Sequence, residues 1–113
     1  MTQANQRIGP MQIAIILLTL FTAAVHLYLG VSTVDPMFLA NGLGYLALVA
    51  ALYLPIPQLA ARHALIRWVL VAFATVTIIG WVFIGDKTLA IGYPTKLAEI
   101  ALITLLVLEA RQK

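Results

Sequence analysis

The chain has 113 residues, of which 63% are hydrophobic and 10% charged, and its mean hydropathy is +1.02. Soluble domains carry about 25% charged residues, so this composition predicts one compact integral membrane unit. A net charge of +3 with dispersed basic residues excludes a nucleic-acid surface, and the absence of cysteine excludes disulfides, thiolate metal sites and cysteine nucleophiles.

The first apolar run extends from Met11 to Gly30. A cleaved secretory signal is the competing reading, because "FTAA" offers small residues to a peptidase. The n-region holds one Arg, however, and the run exceeds an ordinary signal core, so an uncleaved span is expected. Thr19, Thr22 and His26 share one helical face. After "VSTVDP" comes a second run, Met37 to Leu54. There Ala40, Gly44, Ala47 and Ala51 predict a small-residue seam for close helix approach, flanked by Asn41 and Tyr45. "PIPQLAARHALIR" then leads to a third run, Trp68 to Ile84, with Thr77 and Trp81 on one face. Pro10, Pro36, Pro55, Pro57 and Pro94 all fall near run ends, where a missing N–H does least harm.

The fourth run ends at Leu108 and is the difficult one. Its uninterrupted part, "LAEIALITLLVL", covers roughly 18 Å at 1.5 Å per residue, against a bilayer core of about 30 Å. Either the helix draws in residues back to about Leu89, or it starts at Pro94 and the bilayer thins locally. The expected spans are therefore 11–30, 37–54, 68–84 and 89–108 of a single domain over 1–113, an up-down-up-down four-helix bundle of all-α class.

Cytoplasmic segments collect Lys and Arg. With the N-terminus inside, Arg7, Arg62, Arg67, Arg111 and Lys113 are cytoplasmic, while Lys87 and Lys96 lie toward the outside. Tyr53 and Trp68 then mark the inner boundary and Tyr28, Phe38, Trp81 and Tyr93 the outer one, which localises the chain to the cell membrane with both termini cytoplasmic.

In this topology Glu99 lies below the membrane surface, where a charge costs about 2.5 to 3.5 kcal/mol and needs a partner or a proton. Lys96, three residues earlier on the same face, offers a salt bridge. The alternative is an interfacial pair that snorkels to the headgroups. His26 approaches the same depth from the first helix, with Asn41 and Trp81 near that level and Tyr45 about one turn deeper. The candidate polar ligand or proton site is thus His26, Asn41, Tyr45, Trp81, Lys96 and Glu99.

No HExxH, paired histidines or ligand spacing points to a metal. His26 is outer and His63 inner, so bis-histidine haem would require a His26 pair across a dimer. No Ser/His/Asp arrangement, P-loop or glycine-rich fingerprint occurs, which argues against an enzyme, and no cofactor is named by the sequence.

At "HLYLG" (His26 to Gly30), "LANGLGYLALVAALYLP" and "GWVFIGDK", the chain resembles a group of small four-span proteins of archaea and bacteria with an HLxLG end to the first helix. The resemblance implies the four-helix architecture and no activity. Length and span count are also similar to small multidrug exporters, which work as dimers. Those proteins carry an essential acidic residue in the first membrane helix, and here Met11 to Gly30 has none. The expected function is a small non-enzymatic accessory or assembly component, partnered by the bilayer and other membrane helices, whose outer cluster holds a lipid, a quinone or water. The alternative is a proton-coupled carrier working as a homodimer with Glu99 as the titrating group.

Overall fold

The computed structural model describes residues 8–112, so Arg7 and Lys113 lie outside the described residues. These residues form helices and connecting turns with no strand among them. The helices are α1 (Pro10–Ser32), α2 (Pro36–Tyr53), the short α3 (Pro57–Ala60), α4 (His63–Ile84) and α5 (Gly92–Arg111). Helices α1, α2 and α4 are long and apolar enough to cross a membrane.

Sequence chemistry fixes the helix ends. Pro10 and Pro36 occupy first-turn positions, where no intrahelical acceptor awaits an N–H. Asp35 caps α2 by accepting from the Met37 N–H at 2.9 Å. The turn before it places Val34 at φ 52°, a left-handed conformation that a β-branched residue adopts only under constraint. Lys87 ends α4 by donating to the carbonyls of Val82 (2.8 Å) and Gly85 (3.1 Å).

Helix α5 starts at Gly92, between the two starts the sequence offered, and Pro94 falls harmlessly in its first turn. Its 20 residues extend about 30 Å. Its four charged residues, Lys96, Glu99, Glu109 and Arg111, set it apart from the three apolar helices. Helix α4 begins earlier than its apolar run, which brings His63 and Arg67 into the helix.

Helix α1 packs on α2 and α5, and α4 packs on the same two, so the four long helices close a ring. Ile15, Leu52, Leu70, Leu102 and Leu106 fill its interior. The face that α2 turns inward is Gly42, Tyr45, Val49 and Leu52. This corrects the expected seam, since Ala40 and Ala47 are exposed. Volume explains the difference: Tyr45 fills the ring centre, and close approach is needed only beside it. A Cβ on Gly42 would sit 2.9 Å from the Ala23 carbonyl oxygen of α1, and one on Gly44 would sit 2.5 Å from Phe73 of α4.

Candidate functional site

Glu99 is the centre of the site. It has 0% exposure, and Lys96, on the preceding turn of α5, has 7%. Lys96 Nζ donates to Glu99 Oε1 at 2.7 Å, so the pair is buried between helices and does not snorkel. The other carboxylate oxygen, Oε2, accepts from Thr22 Oγ1 of α1 at 2.6 Å and from Tyr45 OH of α2 at 3.0 Å. Glu99 therefore ties three helices together, with every bond charge-assisted.

His26 does not hydrogen-bond Glu99 directly. Its Nδ1 lies 2.8 Å from the Thr22 carbonyl oxygen and 3.3 Å from Thr22 Oγ1. A carbonyl only accepts, so Nδ1 carries a proton. Thr22 thus links imidazole to carboxylate. Phe38 and Tyr45 flank the His26 ring at centroid distances of 5.9 and 6.0 Å.

Asn41 and Trp81 stand on the opposite side. Asn41 Nδ2 donates to Thr77 Oγ1 at 2.8 Å, and Thr77 in turn donates to the Phe73 carbonyl at 2.9 Å. This directionality fixes the amide and leaves Asn41 Oδ1 without a partner. Trp81 stacks edge-on against Tyr93 at 5.3 Å, with Lys87 Nζ 5.1 Å from its ring centroid. Its Nε1 is also buried without a hydrogen bond. Trp81 is therefore part of the site wall as well as an aromatic at the helix end.

A cleft of about 650 Å³ joins these groups. It opens where α1 and α4 end and α2 and α5 begin, and its wall includes His26, Asn41, Thr77, Trp81 and Lys96, with Asp35 and Asp86 beside the flanking turns. Tyr45 and Glu99 lie behind this wall. Apolar side chains such as Leu29, Phe38, Phe73 and Ile84 make up much of the remainder. Thr88 holds the exposed Asp86 carboxyl below its ordinary range by donating from both hydroxyl and backbone N–H. Among the described residues, no group of three His, Cys, Asp or Glu side chains is placed to hold a metal ion.

A second polar cluster occupies the other end of the ring. Glu109 Oε2 accepts from Gln12 Nε2 at 2.9 Å and Tyr53 OH at 2.8 Å, while Oε1 accepts from Arg67 Nε at 3.0 Å, with His63 Nε2 at 3.7 Å. Tyr53, expected at the inner boundary, and His63, expected on the inner side, are both partners of this buried acid. The signal was present in the spacing: Glu99, Leu102, Leu106 and Glu109 follow i, i+3, i+7, i+10, which puts Glu109 on the buried face.

No protein-family model matches the sequence, and no curated protein or solved structure matches it.

Proposed function

We propose that the chain is a four-span integral membrane protein, up-down-up-down with both termini cytoplasmic, and that its outer-end cleft binds the polar head of a small amphiphile, a lipid or a quinone, or water. It acts as a non-enzymatic accessory or assembly component among other membrane helices. The observation that carries this reading is the cleft itself, lined by all four long helices and bordered by two residues, Asn41 and Trp81, whose Oδ1 and Nε1 are buried without a partner. Orphaned buried polar atoms cost about 1–3 kcal/mol each, a cost that a ligand supplying hydrogen bonds removes.

Four spans are supported by the burial pattern of α5. Lys96, Glu99 and Glu109 point into the ring, so the lipid-facing surface of the helix keeps apolar residues such as Leu97, Ile100 and Leu108. The kinship suggested by "HLYLG" belongs to the same proposal. Its final glycine has a packing reason here, because a Cβ on Gly30 would lie 2.9 Å from the Leu39 backbone nitrogen.

Native mass spectrometry of the protein released from its own membranes tests the cleft. The wild type is expected to carry an amphiphile-sized adduct, and Gly80→Leu to lose it. Gly80 lines the cleft, and a Cβ there meets nothing within 4 Å, so a larger side chain can start into the cleft without its Cβ meeting a neighbour. A bare wild type, or an adduct retained by Gly80→Leu, contradicts amphiphile binding in the cleft and leaves water as its occupant.

A proton-coupled homodimeric carrier is the second reading, and the hydrogen-bonded chain from His26 through Thr22 to Glu99 is what favours it. Against it, both Glu99 oxygens are engaged and fully buried. If Glu99→Gln leaves the protein folded but abolishes pH-dependent ligand binding, the carrier reading gains. If only thermal stability falls, the scaffold reading does.

A further inference from the structure

The wall of the cleft is specific about hydrogen-bond direction. Asn41 Oδ1 accepts only, because its amide is oriented by Thr77. In its neutral form the His26 ring likewise offers Nε2 as an acceptor, since Nδ1–H is committed to Thr22. Trp81 Nε1 and Lys96 Nζ donate only. A ligand that satisfies this wall needs a hydroxyl or amine hydrogen for the two acceptors and an oxygen for the two donors.

Charge narrows the choice. Within the cleft Lys96 is paired with Glu99 at 2.7 Å, and Lys87, which keeps its charge, is turned to the carbonyls of Val82 and Gly85. Asp35 and Asp86 line the mouth with negative charge and Lys87 is not among the lining residues, so an anionic head entering the cleft meets repulsion and no unpaired cation in its wall. A volume of about 650 Å³ suits a compact head with the first part of an apolar tail.

From these features we infer that the cleft selects a neutral amphiphile carrying a hydroxyl donor beside an oxygen acceptor, a chemistry shared by acylglycerols and hydroquinones. The inference rests on the proposed ligand-binding role of the cleft and specifies its ligand class. The oxidised quinone has acceptors alone and leaves Asn41 Oδ1 and His26 Nε2 unmet. A phosphate monoester brings its charge to the two aspartates. Asn41 Oδ1 and Trp81 Nε1 are buried at the edge of the cleft, so the ligand gains these bonds only as the two side chains turn toward it about their terminal torsions.

The test is calorimetric titration of the purified full chain in phosphatidylcholine nanodiscs with four probes: a monoacylglycerol, a short-tailed benzohydroquinone, the matching benzoquinone and a lysophosphatidic acid. We expect the hydroquinone to bind at least about tenfold more tightly than its quinone, or the monoacylglycerol to exceed its phosphate counterpart by a similar factor. Whichever hydroxylated probe binds more tightly identifies the source. Asn41→Leu should shrink the donor-dependent preference to near unity, and Gly80→Leu should abolish binding; if Asn41→Leu fails to fold, the wild-type ranking decides. Equal binding of hydroquinone and quinone together with equal binding of the two glycerol probes, all lost in Gly80→Leu, overturns the hydroxyl inference while leaving the cleft a ligand site. No binding by any probe, together with a bare wild-type mass, overturns both.

Discussion

Lys96 Nζ and Glu99 Oε1 are 2.7 Å apart on adjacent turns of α5, both buried, and Glu99 is joined through its second oxygen to Thr22 and Tyr45 on two other helices. The pair is thus the joint between α5, α1 and α2. Removing one partner of a buried ion pair leaves the other charge unpaired and costs about 3–5 kcal/mol. Lys96→Met and Glu99→Gln should each lower the midpoint of thermal unfolding in nanodiscs. The double variant should recover a large part of the loss, and a double variant that merely sums the two singles would show that the charges are not coupled.

The Glu109 cluster should behave as a second clamp. Glu109→Gln removes the charge that gathers Gln12, Tyr53 and Arg67, and it is expected to destabilise by less than the roughly 3–5 kcal/mol of a fully buried pair, because the part-buried Arg67 loses its counter-ion. Tyr53→Phe deletes a single hydrogen bond to a charged group, worth about 1.5–3 kcal/mol. Chemical denaturation of both variants and of their combination checks this. The combination should cost less than the sum, since Tyr53 has no carboxylate to serve once Glu109 is gone.

Glycine substitutions separate packing from open space. Gly42→Ala places a Cβ 2.9 Å from the Ala23 carbonyl oxygen, a backbone atom that cannot yield without moving α1, and should cost about 1–3 kcal/mol. Gly80→Ala meets nothing within 4 Å and should gain about 0.5–1 kcal/mol from helix propensity. Thermal unfolding of the two variants side by side would settle the point, and the same sign for both would contradict the packing described.

These relationships were legible in the sequence to different degrees. Apolar runs located the helices, and the lone acid in the fourth run marked Glu99, with Lys96 on its face and Thr22 below His26. Period alone did not reveal which face of α2 turns inward, because a stripe of alanines and a stripe of larger residues lie side by side on a helix that is apolar all round. Tyr45 decides the matter through its volume, which depends on the neighbours that surround it. Glu109 was marked only by its spacing from Glu99, Leu102 and Leu106: an acid near a helix end otherwise reads as a solvated terminus until Arg67, Gln12 and Tyr53 arrive from three other helices. Lys87 similarly read as a loop charge, and its role as the terminator of α4 depends on a turn geometry that composition does not encode.

The exposed loop after α4 offers a pH-dependent readout. Thr88 holds the Asp86 carboxyl below its ordinary value of 3.8, so this contact stabilises the loop above that pH and is lost as pH falls through the lower folded value. The Thr88 amide resonance should titrate with a midpoint below 3.8. Thr88→Val removes the hydroxyl donor and should move the midpoint upward, toward the ordinary value. An unchanged midpoint would mean that the hydroxyl does not hold the carboxylate.

The proposed topology has α5 crossing the membrane with Lys96, Glu99 and Glu109 turned inward, and the chain's lack of native cysteine opens it to side-specific labelling. Arg62→Cys, Lys87→Cys and Arg111→Cys, each introduced singly, are exposed to a membrane-impermeant maleimide before and after permeabilisation of cells. We expect Lys87→Cys to react from outside, and Arg62→Cys and Arg111→Cys to react only once the membrane is opened. Labelling of Arg111→Cys from the same side as Lys87→Cys would place both ends of α5 on one face and contradict the account.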